Sequence, residues 1–166
     1  MAEFFPSHKR SLIFAVTAMA LAAIAVILLF LTVPDPGPCL RIRDADTGRT
    51  RARLVLREGD PFCVEFVHSV NRTPYYDLYE IRDGRIVMIG IVYYSFGAGV
   101  PEVLDPEWTL TMLPDGGMQV TGMALVPEEI IYRVGTVFDH FLITDAQTVN
   151  LRELCGRNSR VQLVYG

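Results

Sequence analysis

The densest gathering of reactive side chains is the run His68-Ser69-Val70-Asn71-Arg72-Thr73-Pro74-Tyr75-Tyr76-Asp77-Leu78-Tyr79-Glu80. An imidazole can move protons or hold a metal, a guanidinium can grip a carboxylate with two parallel donors, and phenols beside a carboxylate can line a polar ligand site. Spacing narrows these options. With 62–69 as a strand, alternation puts Phe62, Val64, Phe66 and His68 on one face and Ser69 on the other, so His68 and Ser69 cannot act as base and nucleophile to each other. The bland reading of His68 is a core histidine hydrogen-bonded to a tyrosine or a backbone carbonyl; the sharper one is ligand contact or catalysis. Asn71 and Pro74 mark a loop that displays Arg72 at its tip. Tyr75, Asp77 and Tyr79 then share one face of the next strand, either as half-buried packing or as the wall of a ligand site.

Two further islands carry chemistry. In 93–102 an apolar strand ends in a turn with Gly97 and Gly99, whose exposed amides could hold a carboxylate or phosphate. No Lys-Ser pair follows, so a nucleotide loop is disfavoured and a sharp corner between strands is the plainer reading. The third island, 132–140, ends in His140. His68 and His140 with Asp77, Glu80 or Asp139 could compose a zinc site, but ligands this scattered give no metal spacing, and neither a metal nor a cofactor is expected. No nucleophile elbow surrounds Ser69 or Ser95.

The elements that must position these groups read as strands: 40–43, 51–56, 62–69, 75–82, 85–95, 108–113, 118–122, 130–134, 140–144 and 160–165, separated by turn signals such as Thr47-Gly48 and Asp115-Gly116-Gly117. Asp83-Gly84 between two apolar runs predicts a type I′ hairpin. Residues 146–154 suggest one short helical turn. The fold class is therefore mainly β, one antiparallel domain over 40–166, with sandwich and barrel both open.

Ahead of that domain, residues 12–33 contain no charged side chain, and at about 1.5 Å per residue they are long enough to cross a bilayer core roughly 30 Å thick. His8, Lys9 and Arg10 precede this run, so residues 1–11 are expected in the cytoplasm, 12–33 in the membrane as an uncleaved anchor, 34–39 as a proline-rich spacer, and the β domain outside. The apolar run is longer than that of a cleaved signal peptide.

The formal net charge is −4; the leading segment supplies +1, with Glu3 against Lys9 and Arg10, so the rest holds −5 and a nucleic-acid partner is not expected. Lys9 is the sole lysine, so every basic chain beyond the anchor, histidines apart, is an arginine. Cys39 and Cys155 lie near the two ends of the domain in loop-like sequence, which makes them the pair to expect if a bridge forms outside the cytoplasm; three reduced thiols are the alternative.

Taken together, the anchor, HSVNRTPYYDLYEI, FGAGVP and VGTVFDH resemble the small bacterial proteins grouped as domain of unknown function 1850. Members are typically encoded beside the fused permease and the solute-binding protein of TAXI-type TRAP transporters. The resemblance implies an accessory role in such a transporter, through contacts with the permease or its binding protein. The residue after His-Ser-Val is commonly glutamate in the family, whereas here it is Asn71. Two other expectations come from the residues themselves: an anchored hydrolase or metal enzyme using His68 and His140, and a stand-alone binder of small ligands.

Overall fold

Apolar residues at every second position, opposed by arginines and acids, drive the strands of this chain. The computed structural model describes residues 19–24, 37–96, 100 and 103–166. Leu40–Asp44 (β1) turns Leu40 and Ile42 into the core, and Arg160–Tyr165 (β11) does the same with Val161 and Leu163. With Thr50–Leu54 (β2) and Ile130–Arg133 (β8) they form a four-stranded sheet in the order β2-β1-β11-β8. The second sheet has seven strands, in the order β10-β9-β3-β4-β5-β7-β6. These are Pro61–Val67 (β3), Pro74–Arg82 (β4), Arg85–Tyr93 (β5), Thr109–Met112 (β6), Met118–Leu125 (β7), His140–Thr144 (β9) and Thr148–Asn150 (β10). Strand neighbours in both sheets run antiparallel.

The sheets close over one shared core, in which Leu40, Ile42 and Val161 of the first meet Val64, Ile81 and Leu142 of the second. That arrangement is a sandwich. Expected and observed strands largely coincide, and Asp83 (φ 49°) and Gly84 (φ 68°) both take the left-handed backbone of the type I′ turn.

Register shifts on both sides of β5 at Ile89 divide the larger sheet: against β4 between Leu78 and Tyr79, and against β7 between Met88 and Gly90. A Cβ at Gly90 would collide with the Val120 carbonyl oxygen, so glycine lets β7 approach there. Beyond the bulges a second apolar cluster gathers Tyr75, Ile91, Tyr93, Met118 and Val120, with Trp108 alongside. Phe66 and Met88 pack against both clusters.

Three expectations need correction. β3 stops at Val67: the His68 N–H donates to the Thr73 carbonyl (2.9 Å), the Arg72 N–H to the His68 carbonyl (2.8 Å), and Arg72 takes φ 55°, so 68–73 is a tight turn and strand alternation no longer governs His68 and Ser69. Part of the 146–154 segment is strand β10, after which Asn150 caps the helix Leu151–Cys155 (α1) by accepting from the Arg152 N–H (2.9 Å) and Glu153 N–H (3.3 Å). Cys39 and Cys155 form no bridge; all three cysteines are free.

The expected span 12–33 lies outside the described residues apart from 19–24, which are helical. Among the described residues no helix is long and apolar enough to cross a membrane.

Candidate functional site

The turn after β3 and the connection from β8 to β9 face each other, because β9 pairs with β3 and sets His140 opposite Phe66. Between them opens a cleft of about 740 Å³. Four of the residues singled out from sequence line it together: His68, Ser69, Arg72 and His140. Arg133, Thr136, Phe138 and Asn158 complete the polar and apolar walls. No aspartate or glutamate is among the lining residues.

Each histidine is oriented by backbone. The Gly135 N–H donates to His140 Nδ1 (3.3 Å), and the Asn71 N–H donates to His68 Nδ1 (3.5 Å). With Nδ1 accepting, the neutral imidazole carries its proton on Nε2 and can donate from there. His140 is buried, its ring stacked on Phe66 at 5.2 Å and 7°. Burial pulls its pKa down, the Phe138 carbonyl opposes that, Arg152 adds to it and Asp139 opposes it. Asp139 itself pairs with Arg152 (2.6 Å) and accepts from Asn150 Nδ2 (3.0 Å). The aspartate beside His140 is thus engaged elsewhere and does not orient the ring as the acid of a hydrolase triad would.

Arg133 donates from Nη1 to Asn158 Oδ1 (3.2 Å), a neutral acceptor that positions the guanidinium without cancelling its charge. Phe66 forms the floor, stacked between His140 and Tyr75 at 5.2 Å each. The same row continues across the sheet, since Tyr75 is paired with and stacked on Tyr93 at 6.4 Å.

Tyr75, Asp77 and Tyr79 do share a face, as alternation requires, but that face is covered: Tyr79 lies in the core between the sheets and Tyr75 in the second apolar cluster. Asp77 stands opposite Val64, where the Tyr132 hydroxyl of β8 donates to Asp77 Oδ2 (2.5 Å) and pairs with the Tyr79 hydroxyl (2.7 Å). Burial pushes the Asp77 carboxyl up, against the Tyr132 hydrogen bond, and the same burial raises Tyr132 and Tyr79. Burial also lifts Tyr75 to about 12. Asn71 contributes its backbone N–H to His68 and is not among the cleft-lining residues. Gly97 and Gly99 lie outside the described residues. Among the described residues no group of three His, Cys, Asp or Glu side chains comes together as a metal site.

Arg133, Thr136, Phe138 and Asn158 had not been singled out. Arg133 and Phe138 stand in the same island as His140, so its charge and its ring were the available signal; Asn158, at φ 59° in a turn before β11, offered none.

Fold and cleft together define a small antiparallel β-sandwich with a cationic, aromatic-floored surface cleft. The chain belongs to the family described as Domain of unknown function (DUF1850), whose family model matches residues 62–151. The matched stretch runs from β3 through β10, so it holds every residue lining the cleft except Asn158. No curated protein and no solved structure matches the chain.

Proposed function

We propose that this protein is a recognition module, held at the outer face of the bacterial inner membrane by residues 12–33, that assists a TAXI-type TRAP transporter through the cleft beneath His68 and Arg72. The observation that carries the reading is the convergence of His68, Ser69, Arg72 and His140 on one open cleft from segments more than sixty residues apart. The transporter association is what the family resemblance implies, and the permease or its solute-binding protein is the partner it supplies.

Both histidines line the cleft, which is the one observation that favours a tethered hydrolase or metal enzyme. Their Nδ1 atoms accept backbone amides, however, and among the described residues no carboxylate hydrogen-bonds either ring, so binding fits the geometry better than proton transfer. Deleting the chain should abolish uptake by the neighbouring transporter, and the Arg72→Glu variant should reproduce that loss with the protein still present in the membrane. Unchanged uptake in the deletion strain sinks the reading. A stoichiometric metal in the purified chain that disappears in His140→Ala would favour the enzyme instead.

A further inference from the structure

We infer that the cleft binds a small organic carboxylate with an apolar body. This rests on taking the cleft as the recognition site, and goes beyond it in naming what enters.

The charge pattern speaks first. Four arginines pair with acids, Arg51 with Asp44 (2.8 Å), Arg82 with Glu80 (2.7 Å), Arg152 with Asp139 (2.6 Å) and Arg160 with Asp46 (2.8 Å), while others, such as Arg53 and Arg85, have no ion pair among the described residues. What sets the unpaired Arg72 and Arg133 apart is that both line one cleft whose lining residues include no aspartate or glutamate. Two guanidiniums left without a carboxylate in one concavity create a site whose missing element is an anion.

Donor chemistry agrees. The guanidiniums have no acceptor atom, and the His68 imidazole has Nδ1 occupied by a backbone amide, leaving Nε2 to donate, whereas the His140 N–H is engaged by the Phe138 carbonyl. A ligand matching this set must bring acceptors, as a carboxylate does. Inorganic anions would satisfy the rim and waste the apolar part of the lining, where Phe66 and Phe138 present rings. Phe66 is fixed there by His140 on one side and Tyr75 on the other, so its surface is ready before binding. A volume of about 740 Å³ falls in the range of small-molecule sites.

The test uses the full chain in detergent micelles and isothermal titration with three probes: 3-phenylpropionate, its uncharged amide 3-phenylpropanamide, and acetate. The carboxylate with the apolar body should bind, and each control should bind at least about tenfold more weakly, as expected when a charge-assisted hydrogen bond or the apolar contact is lost. Arg72→Gln and Arg133→Gln should each weaken 3-phenylpropionate about tenfold, whereas Arg160→Gln, outside the cleft, should leave it unchanged. A normal far-ultraviolet circular dichroism spectrum for each variant keeps loss of binding separate from loss of fold. Equal binding of the amide, equal binding of acetate, indifference to both cleft arginines, or no binding at all would each overturn the inference. If no probe binds while Arg72→Glu still abolishes uptake, the ligand class falls and the accessory role stands. If 3-phenylpropionate binds while deletion leaves uptake untouched, the accessory role falls and the ligand class stands.

Discussion

Two neighbouring regions of this domain treat charge in opposite ways. Inside the sandwich, Asp77 is an acid with no base paired to it among the described residues, faced by the Tyr132 hydroxyl and flanked on the neighbouring strands by Val64 and Ile91. At the cleft, Arg72 and Arg133 are bases with no acid paired to them among the described residues. His140 borders both regions, its ring stacked on Phe66 and edge-on to Tyr132 at 6.5 Å. The difference is that the core group is satisfied by a partner within the chain, whereas the cleft groups face outward and can be satisfied from solution. A buried acid held by a hydroxyl serves to fix the two sheets against each other. Exposed, positioned cations serve something that arrives.

Breaking the core side of this contrast should have the largest effect. Tyr132→Phe removes the donor to Asp77 and the partner of Tyr79 in one step, so urea unfolding should show a loss of about 3 kcal/mol, the penalty for stranding a buried charged group. Adding Asp77→Leu to that variant should restore part of the loss, because the stranded acid is gone.

A smaller effect sharpens the same point through pH. Burial raises the folded-state pKa of Asp77 above 3.8, so its contribution is intact while the acid is protonated and is lost as pH climbs through the raised value. Asp77→Asn keeps an acceptor for Tyr132 and cannot ionise. Its stability relative to the natural chain should therefore rise as pH goes from about 4 to 7, with a total gain smaller than the Tyr132→Phe loss, measured by urea midpoints across that range. A gap that stays constant with pH would place the ionisation of Asp77 outside the fold's energetics.

The smallest effect concerns the thiols. Cys155→Ala should shift the unfolding midpoint by the equivalent of about 1 kcal/mol or less, and mobility under non-reducing conditions should be unchanged, because no bridge exists to lose.

Local patterns in the chain were enough for the strands and the Asp83-Gly84 turn, because each depends on alternation or on backbone freedom over a few residues. The placement of His68 was not legible. Alternation through 62–69 kept it in the strand, while the bond from its own N–H to the Thr73 carbonyl ends β3 two residues earlier. The cleft was half legible. Residues 68–72 and 132–140 each read as a cluster, but their meeting depends on β3 pairing with β9, a contact across more than seventy residues that no local pattern encodes. Whether Asp77 belongs to half-buried packing or to the wall of a ligand site stays undecided in the sequence for the same reason: alternation says which side a residue takes, not whether another sheet covers that side. Strand β10 escaped because three residues are too few to show a period.

The row His140, Phe66, Tyr75 and Tyr93 crosses four strands as a continuous stack of rings, starting at the cleft floor and ending in the cluster beside Trp108. Trp108 is the chain's single tryptophan, so its emission comes from one place. An occupant resting on Phe66 would press on one end of an optical relay whose other end already glows, and the near-ultraviolet signal of the tyrosines would register its arrival without any added label.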